Sequence, residues 1–404
     1  MMEYIRFKDV TLSTQYGYTA DETSKTEGTY KYLRITDIVP YFVNFNTVPF
    51  CTIPPSKVEQ YLVNEGDILI ARTGATTGYN YVVQKGVKNT VYASYLIRFN
   101  VDKTKVLPSY MKYVLKSNYY YGFVNNYIGG SAQPGMNARV FGRFNIPNNS
   151  LPKQHRIASV LSAYDNLIEN NNKRIRLLEQ MAENLYKEWF VRFRFPGHEK
   201  AEFENGLPKG WKIEKIGNVS ETIGGGTPST GNPAYWDGDI KWVTPSDITS
   251  KNSLPLLKVE GRISEEGLKK SSAKLLPPYT ILMTSRASIG YFGIAPFEVC
   301  TNQGFISIIP QKENLRMFML YMLKSRKDEI IANANGATFL EISKGRFRKM
   351  NMVVPIDSVL DSFENKARTI FEEIMKIEQQ NQILSRQRDL LLPRLMSGKL
   401  EVKV

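Results

Sequence analysis

Ile157-Ala158-Ser159-Val160-Leu161-Ser162-Ala163-Tyr164-Asp165-Asn166-Leu167-Ile168-Glu169-Asn170-Asn171 belongs to a run, from Lys153 to about Arg192, that is almost without glycine or proline. Within the run Ile157, Leu161, Tyr164, Ile168, Asn171, Ile175, Leu178, Ala182, Leu185 and Trp189 follow one another at alternating steps of four and three. That spacing holds one stripe on the same side of a helix for over four heptads and predicts a coiled-coil seam. A second stripe, Phe363, Ala367, Ile370, Ile374, Ile377, Asn381, Leu384, Arg388, Leu391 and Leu395, repeats the steps and is interrupted late by Pro393. One such stripe is ordinarily an amphipathic helix lying on its own domain. Two of them, each closing a similar segment, point to helices that pair with each other.

The similar segments form an internal repeat. Lys31-Tyr32-Leu33-Arg34-Ile35-Thr36-Asp37-Ile38 has a counterpart in Ile240-Lys241-Trp242-Val243-Thr244-Pro245-Ser246-Asp247-Ile248, each a strand ending in a polar turn. Glu65-Gly66-Asp67-Ile68-Leu69-Ile70-Ala71-Arg72 is matched in kind by Pro278-Tyr279-Thr280-Ile281-Leu282-Met283-Thr284-Ser285-Arg286. Each is an apolar strand entering a basic loop with hydroxyl groups and glycine. The spacings differ slightly, so the equivalence of Arg72 with Arg286 stays open. The expected fold is mixed α+β: two similar strand-rich domains over residues 1–150 and 196–355, separated by a central helix (151–195) and a C-terminal helix (356–404) that pair as an antiparallel coiled coil.

The seams set a register for that pairing. Aligned head to tail, Ile157 faces Leu395, Ile175 faces Ile377, and Trp189 faces Phe363. Asn171 then lies opposite Asn381, where a paired amide fixes register, and Arg388 lies against Tyr164, whose ring can cover its stem.

Composition narrows the function. The 53 lysines and arginines exceed the 39 aspartates and glutamates by 14 in 404 residues, which suits an acidic partner such as nucleic acid. Two cysteines, Cys51 and Cys300, give neither a disulfide framework nor a metal-type spacing, and no run of about 18 apolar residues occurs, so a reducing cytoplasm is expected and a membrane is not.

Several motifs, in order and twice over, resemble the DNA-specificity subunit of type I restriction-modification systems. They are Leu151-Pro152-Lys153-Gln154-His155-Arg156-Ile157 leading to the asparagine-rich 170–172 and Leu185-Tyr186-Lys187-Glu188-Trp189-Phe190; Gly225-Gly226-Thr227-Pro228-Ser229 with Tyr235-Trp236; and Leu391-Leu392-Pro393-Arg394-Leu395-Met396-Ser397-Gly398. The first repeat departs from the pattern, having Thr14-Gln15-Tyr16-Gly17-Tyr18-Thr19 where the second has its Gly-Gly-Thr-Pro-Ser loop. The resemblance implies a non-catalytic subunit that reads a bipartite site on double-stranded DNA, one half per target-recognition domain. It implies two docked modification subunits, with restriction subunits in the full complex. S-adenosylmethionine, ATP and Mg²⁺ then belong to those partners, and this chain needs no cofactor.

The residues agree. There is no Asn/Asp-Pro-Pro-Tyr element for a flipped adenine and no Gly-x-x-x-x-Gly-Lys-Ser/Thr loop, while Gly224-Gly225-Gly226 runs straight into Thr227-Pro228. His155 and His198 stand far apart, so neither a catalytic triad nor a metal site is expected. The alternative is a single-chain DNA methyltransferase or nuclease whose catalytic element is not recognisable. The side chains suited to bases and phosphates are Arg72, Thr73, Thr76, Ser131, Gln133 and Asn137 in the first domain. In the second they are Ser285, Arg286, Ser288, Asn302, Gln303, Lys344 and Arg346.

Overall fold

The computed structural model describes residues 3–21, 23–24, 26–128, 135–251, 253–336 and 339–401. The chain divides into two compact units, one of Met1–Glu169 with Ile383–Val404 and one of Asn170–Gln382. Each long helix is therefore shared between the units.

In the first unit an antiparallel sheet has the order Thr11–Tyr16, Leu96–Val101, Ile68–Ala71, Asn80–Val82. A smaller sheet places Tyr30–Leu33 between Phe50–Cys51 and Thr90–Tyr92, the latter pairing parallel. All of Ile68–Ala71 is buried because both faces of the larger sheet are covered. Ile68, Ile70, Ile97 and Phe99 pack with Tyr110, Met111 and Tyr113 of the helix Pro108–Val114, while Leu69, Ala71 and Leu96 pack with Leu33, Ile38 and Tyr92. A strand covered on both sides loses its alternation and reads as a continuous apolar run.

The second unit repeats this order strand for strand. Its larger sheet runs Ser220–Gly224, Phe305–Pro310, Ile281–Thr284, Phe292–Ile294, and its smaller one has Trp236–Val243 between Arg262–Ile263 and, in parallel, Cys300–Thr301. The polar turns after the two matched strands are one turn of helix, in each of which an aspartate carboxylate accepts from the backbone amide three residues before it: Asp37 from Arg34 at 2.9 Å, and Asp247 from Thr244 at 2.8 Å.

The central helix spans Leu151–Tyr186 and continues as a π-helical turn over Lys187–Val191; the C-terminal helix spans Asp357–Met396 and passes through Pro393. Proline there removes one backbone donor without ending the helix. The two helices run antiparallel. In the first unit Ile157 and Leu161 share a core with Leu392, Leu395 and Met396. In the second, Ile175 packs with Ile374 and Ile377, and the rings of Trp189 and Phe363 lie 5.8 Å apart. Asn171 and Asn381 are 5% and 7% exposed; Asn171 Nδ2 donates to Asn381 Oδ1 at 3.0 Å, and Asn381 Nδ2 donates to Asn172 Oδ1 at 2.9 Å.

The partners of Arg388 are an acid and a ring that the register expectation did not name. Its guanidinium donates to Asp165 Oδ1 at 3.0 Å and stacks 3.8 Å from the centre of the Tyr41 ring. Asp165, not Tyr164, takes the buried seam position, since a guanidinium withdrawn from water requires a counter-charge that a neighbouring ring cannot supply.

Candidate nucleic-acid interface

In both units the strand at the centre of the larger sheet ends at a junction where several loops converge. In the first, the Arg72 amide donates to Tyr95 O at 3.0 Å, and Arg72 O accepts from the Met136 amide at 2.8 Å. In the second, the Ser285 amide donates to Gly304 O at 2.8 Å, and Ser285 O accepts from Ile342 at 3.0 Å. The isolated bridges agree, Thr73 with Gly135 and Arg286 with Glu341. Arg72 therefore corresponds to Ser285, and Thr73 to Arg286. The two arginines are not equivalent.

The correspondence extends to the surrounding loops. Asn137 caps the helix Ala138–Phe141 by accepting from the Val140 amide, and Ser343 caps Lys344–Lys349 by accepting from Arg346. Gly17 answers to Gly225: a Cβ would lie 2.2 Å from Ala93 O at the first and 2.1 Å from Asn302 O at the second, so only glycine fits either place. Tyr32 Oη donates to Tyr18 O at 2.8 Å, and Trp242 Nε1 donates to Gly226 O at 2.9 Å. Different aromatics thus hold the same loop, and the first repeat keeps the loop's geometry without its Gly-Gly-Thr-Pro-Ser sequence.

At the first junction Arg72 lies over the Tyr16 ring at 4.9 Å, its buried Nε has no hydrogen-bond partner, and no carboxylate pairs with it among the described residues. Thr73 and Thr76 are half-buried, and Asn137 is exposed, with Oδ1 occupied as the helix cap and the amide nitrogen left to donate outward. Tyr16 and Tyr95 stand at 41% and 58% exposure. Ser131 and Gln133 lie outside the described residues.

At the second junction Arg286 and Ser288 are exposed, with the Ser288 amide bonded to Arg286 O at 2.7 Å. Ser285 is 2% exposed, so its hydroxyl is no surface donor; it carries Arg286 instead. Asn302 is half-buried and accepts from the Gly304 amide at 2.9 Å, and the exposed Gln303 accepts from the Thr227 hydroxyl. Lys344 is exposed, its ammonium beside Gly224, and Arg346 Nη1 donates to Asn333 O at 3.3 Å. The candidates from three separate sequence segments are thereby brought to one end of the sheet. Sequence reasoning missed Tyr16, Gly135 and Glu341, whose places follow from strand pairing; the antiparallel bridges supply the signal.

The residues 2–180 and again 208–386 match the model of the type I restriction modification DNA specificity domain. The chain belongs to this family. Each of its two specificity domains takes in a strand-rich domain and most of the helix after it. The MjaIX type I restriction enzyme specificity subunit of Methanocaldococcus jannaschii is 32% identical over 200 residues, 49% of this chain and 46% of that protein. The HindI specificity subunit of Haemophilus influenzae is 23% identical over 406 residues, 84% of this chain and 87% of that protein. Against the first of these the match spans less than half of the relative's length. A crystal structure of a type I restriction-modification S subunit from M. genitalium has the same fold, with TM-score 0.58 and 14% identity over 98% of this chain and 96% of that one. No helix among the described residues is long and apolar enough to cross a membrane, and those residues hold no metal-type group of His, Cys, Asp or Glu.

Proposed function

We propose that this chain is the DNA-reading subunit of a cytoplasmic type I restriction-modification complex, each unit recognising one half of a bipartite site. The observation that carries this reading is the recurrence, in both units, of one junction where arginine, hydroxyl and amide side chains from separate loops meet. Such groups suit base edges and phosphates. Membership in the specificity-domain family does not favour the alternative of a methyltransferase or nuclease working alone. Methylation and cleavage, with S-adenosylmethionine, ATP and Mg²⁺, belong to modification and restriction subunits, and the paired helices set the gap between half-sites.

The helices also offer docking anchors. Leu167, Ile383 and Leu390 in the first unit, and Leu177 and Met181 in the second, are 52–61% exposed. Each stands one residue before a seam position, which turns it about 100° from the seam. On antiparallel helices that offset puts the three of the first unit on one side of the pair, and the two of the second unit share one face of their own helix. These apolar side chains suit a modification subunit.

The test uses the chain purified with its modification subunits. Adenine methylation mapped on mixed-sequence DNA should give a bipartite motif, and DNA affinity should fall steeply as salt rises. Methyl transfer by the isolated chain would sink the reading.

A further inference from the structure

We infer that Arg286 and Glu341 together read a single G·C base pair in the half-site recognised by the second unit, an inference that rests on the DNA-reading function proposed above. The two residues form an antiparallel bridge, so their side chains leave neighbouring strands side by side. Arg286 Nε and Glu341 Oε2 are 3.9 Å apart, beyond hydrogen-bond reach, and the side chains are 49% and 47% exposed. They form a long ion pair with no hydrogen bond between them, and both keep their hydrogen-bonding capacity for a third party.

Their backbones are fixed. Glu341 exchanges two hydrogen bonds with Asn335, at 2.8 and 3.0 Å, and Arg286 is flanked by Ser285, whose amide and carbonyl are both engaged. Beneath them Ser285 and Ile342 are 2% and 1% exposed, which anchors the pair to the core. A rigid backbone with free side-chain ends is what discrimination between base pairs requires.

The charge pattern selects the ligand. A carboxylate repels a phosphate, so the pair does not suit the DNA backbone. In the major groove a G·C pair presents the O6 and N7 acceptors of guanine beside the N4 donor of cytosine. A guanidinium fork beside a carboxylate matches that sequence of acceptor, acceptor and donor. An A·T pair presents acceptor, donor and acceptor, which leaves one of the two charged groups facing its like. At the matching place in the first unit stand Thr73 and Gly135, which carry no charge. The first unit makes no equivalent demand.

The test maps methylated adenines produced by the complex of this chain with its modification subunits, as wild type, Arg286→Ala, Glu341→Gln and the double variant Thr73→Arg/Gly135→Glu. A Cβ at Gly135 meets nothing nearer than Arg72 O at 3.6 Å, so the transplanted pair has room. The wild-type motif should hold an invariant G·C pair at one position that both single variants relax. The loss of discrimination should be roughly 5- to 150-fold there, with every other position retained. The transplant should add a G·C requirement to the opposite half-site. An unchanged motif in the single variants, or equal weakening on all DNA, overturns the inference while leaving the DNA-reading function intact. A wild-type complex with no bipartite motif refutes that function itself.

Discussion

Asp165 shows how much one buried carboxylate can organise. It accepts from Arg388 at 3.0 Å, from Lys112 at 2.6 Å and from the Tyr113 hydroxyl at 2.8 Å, and is 2% exposed. Replacing it with leucine leaves Arg388 with only Asp389, at 2.8 Å, and Lys112 with no counter-charge, and should destabilise the chain by about 3 kcal/mol. Adding Arg388→Met should recover much of that loss, because Lys112 is 20% exposed and can turn to water. Urea denaturation of the four chains of this cycle measures both effects, and a single-variant loss under about 1 kcal/mol would show the cluster to be ornamental. Lys116 borders the same cluster, near Lys112, Asp165, Arg388 and Tyr41. Burial, and then the Lys112 charge, bring its pKa down to about 8. From there up to the ordinary lysine value the unfolded chain binds more protons than the folded one, so stability rises with pH. Tyr41 and Tyr113, kept protonated chiefly by burial, act in the opposite sense above about pH 10. Between pH 8 and about 10 the urea midpoint should therefore climb more steeply for wild type than for Lys116→Met, and equal slopes would remove Lys116 from the account.

At the scale of elements, much of the architecture is written in the spacing of apolar residues. The steps of four and three specify two long helices, and their reversal symmetry specifies antiparallel pairing with Asn171 beside Asn381. The strand Ile68–Ala71 is legible as an apolar run between turn residues. The junctions were harder to read. That Arg72 corresponds to Ser285, and that Glu341 stands beside Arg286, depends on cross-strand partners far away in sequence. Asp165 was missed for another reason: a polar residue beside a tyrosine looks like the solvated side of a stripe until a cation arrives from a distant helix. Helix faces also make a prediction. Leu167→Glu with Leu390→Glu should leave thermal stability nearly unchanged, since both side chains are exposed, yet weaken capture of the modification subunit by roughly tenfold or more. Unaltered capture in a pull-down titration would move the docking surface elsewhere.

For the whole molecule, the helices are proposed to set the distance between half-sites. Adding one heptad to each helix beside the Asn171–Asn381 pair preserves the seam and lengthens each helix by about 10 Å, or about three base pairs. The methylated motif should keep both half-sites and widen its unread gap by that amount; a gap of constant length would refute the ruler. The division of the chain into units has a further consequence, in time rather than space. The core of the first unit includes Leu392, Leu395 and Met396, yet residues 170–382 are all synthesised before them. At about 5–20 residues per second, the domain begun first waits on the order of tens of seconds for its last wall, while the second unit has its full sequence earlier. Nascent chains stalled before Ile383 should accordingly show a protease-sensitive first domain beside a resistant second one. The first unit is the later of the two to complete its core, and only chains translated through Met396 hold the buried residues of both.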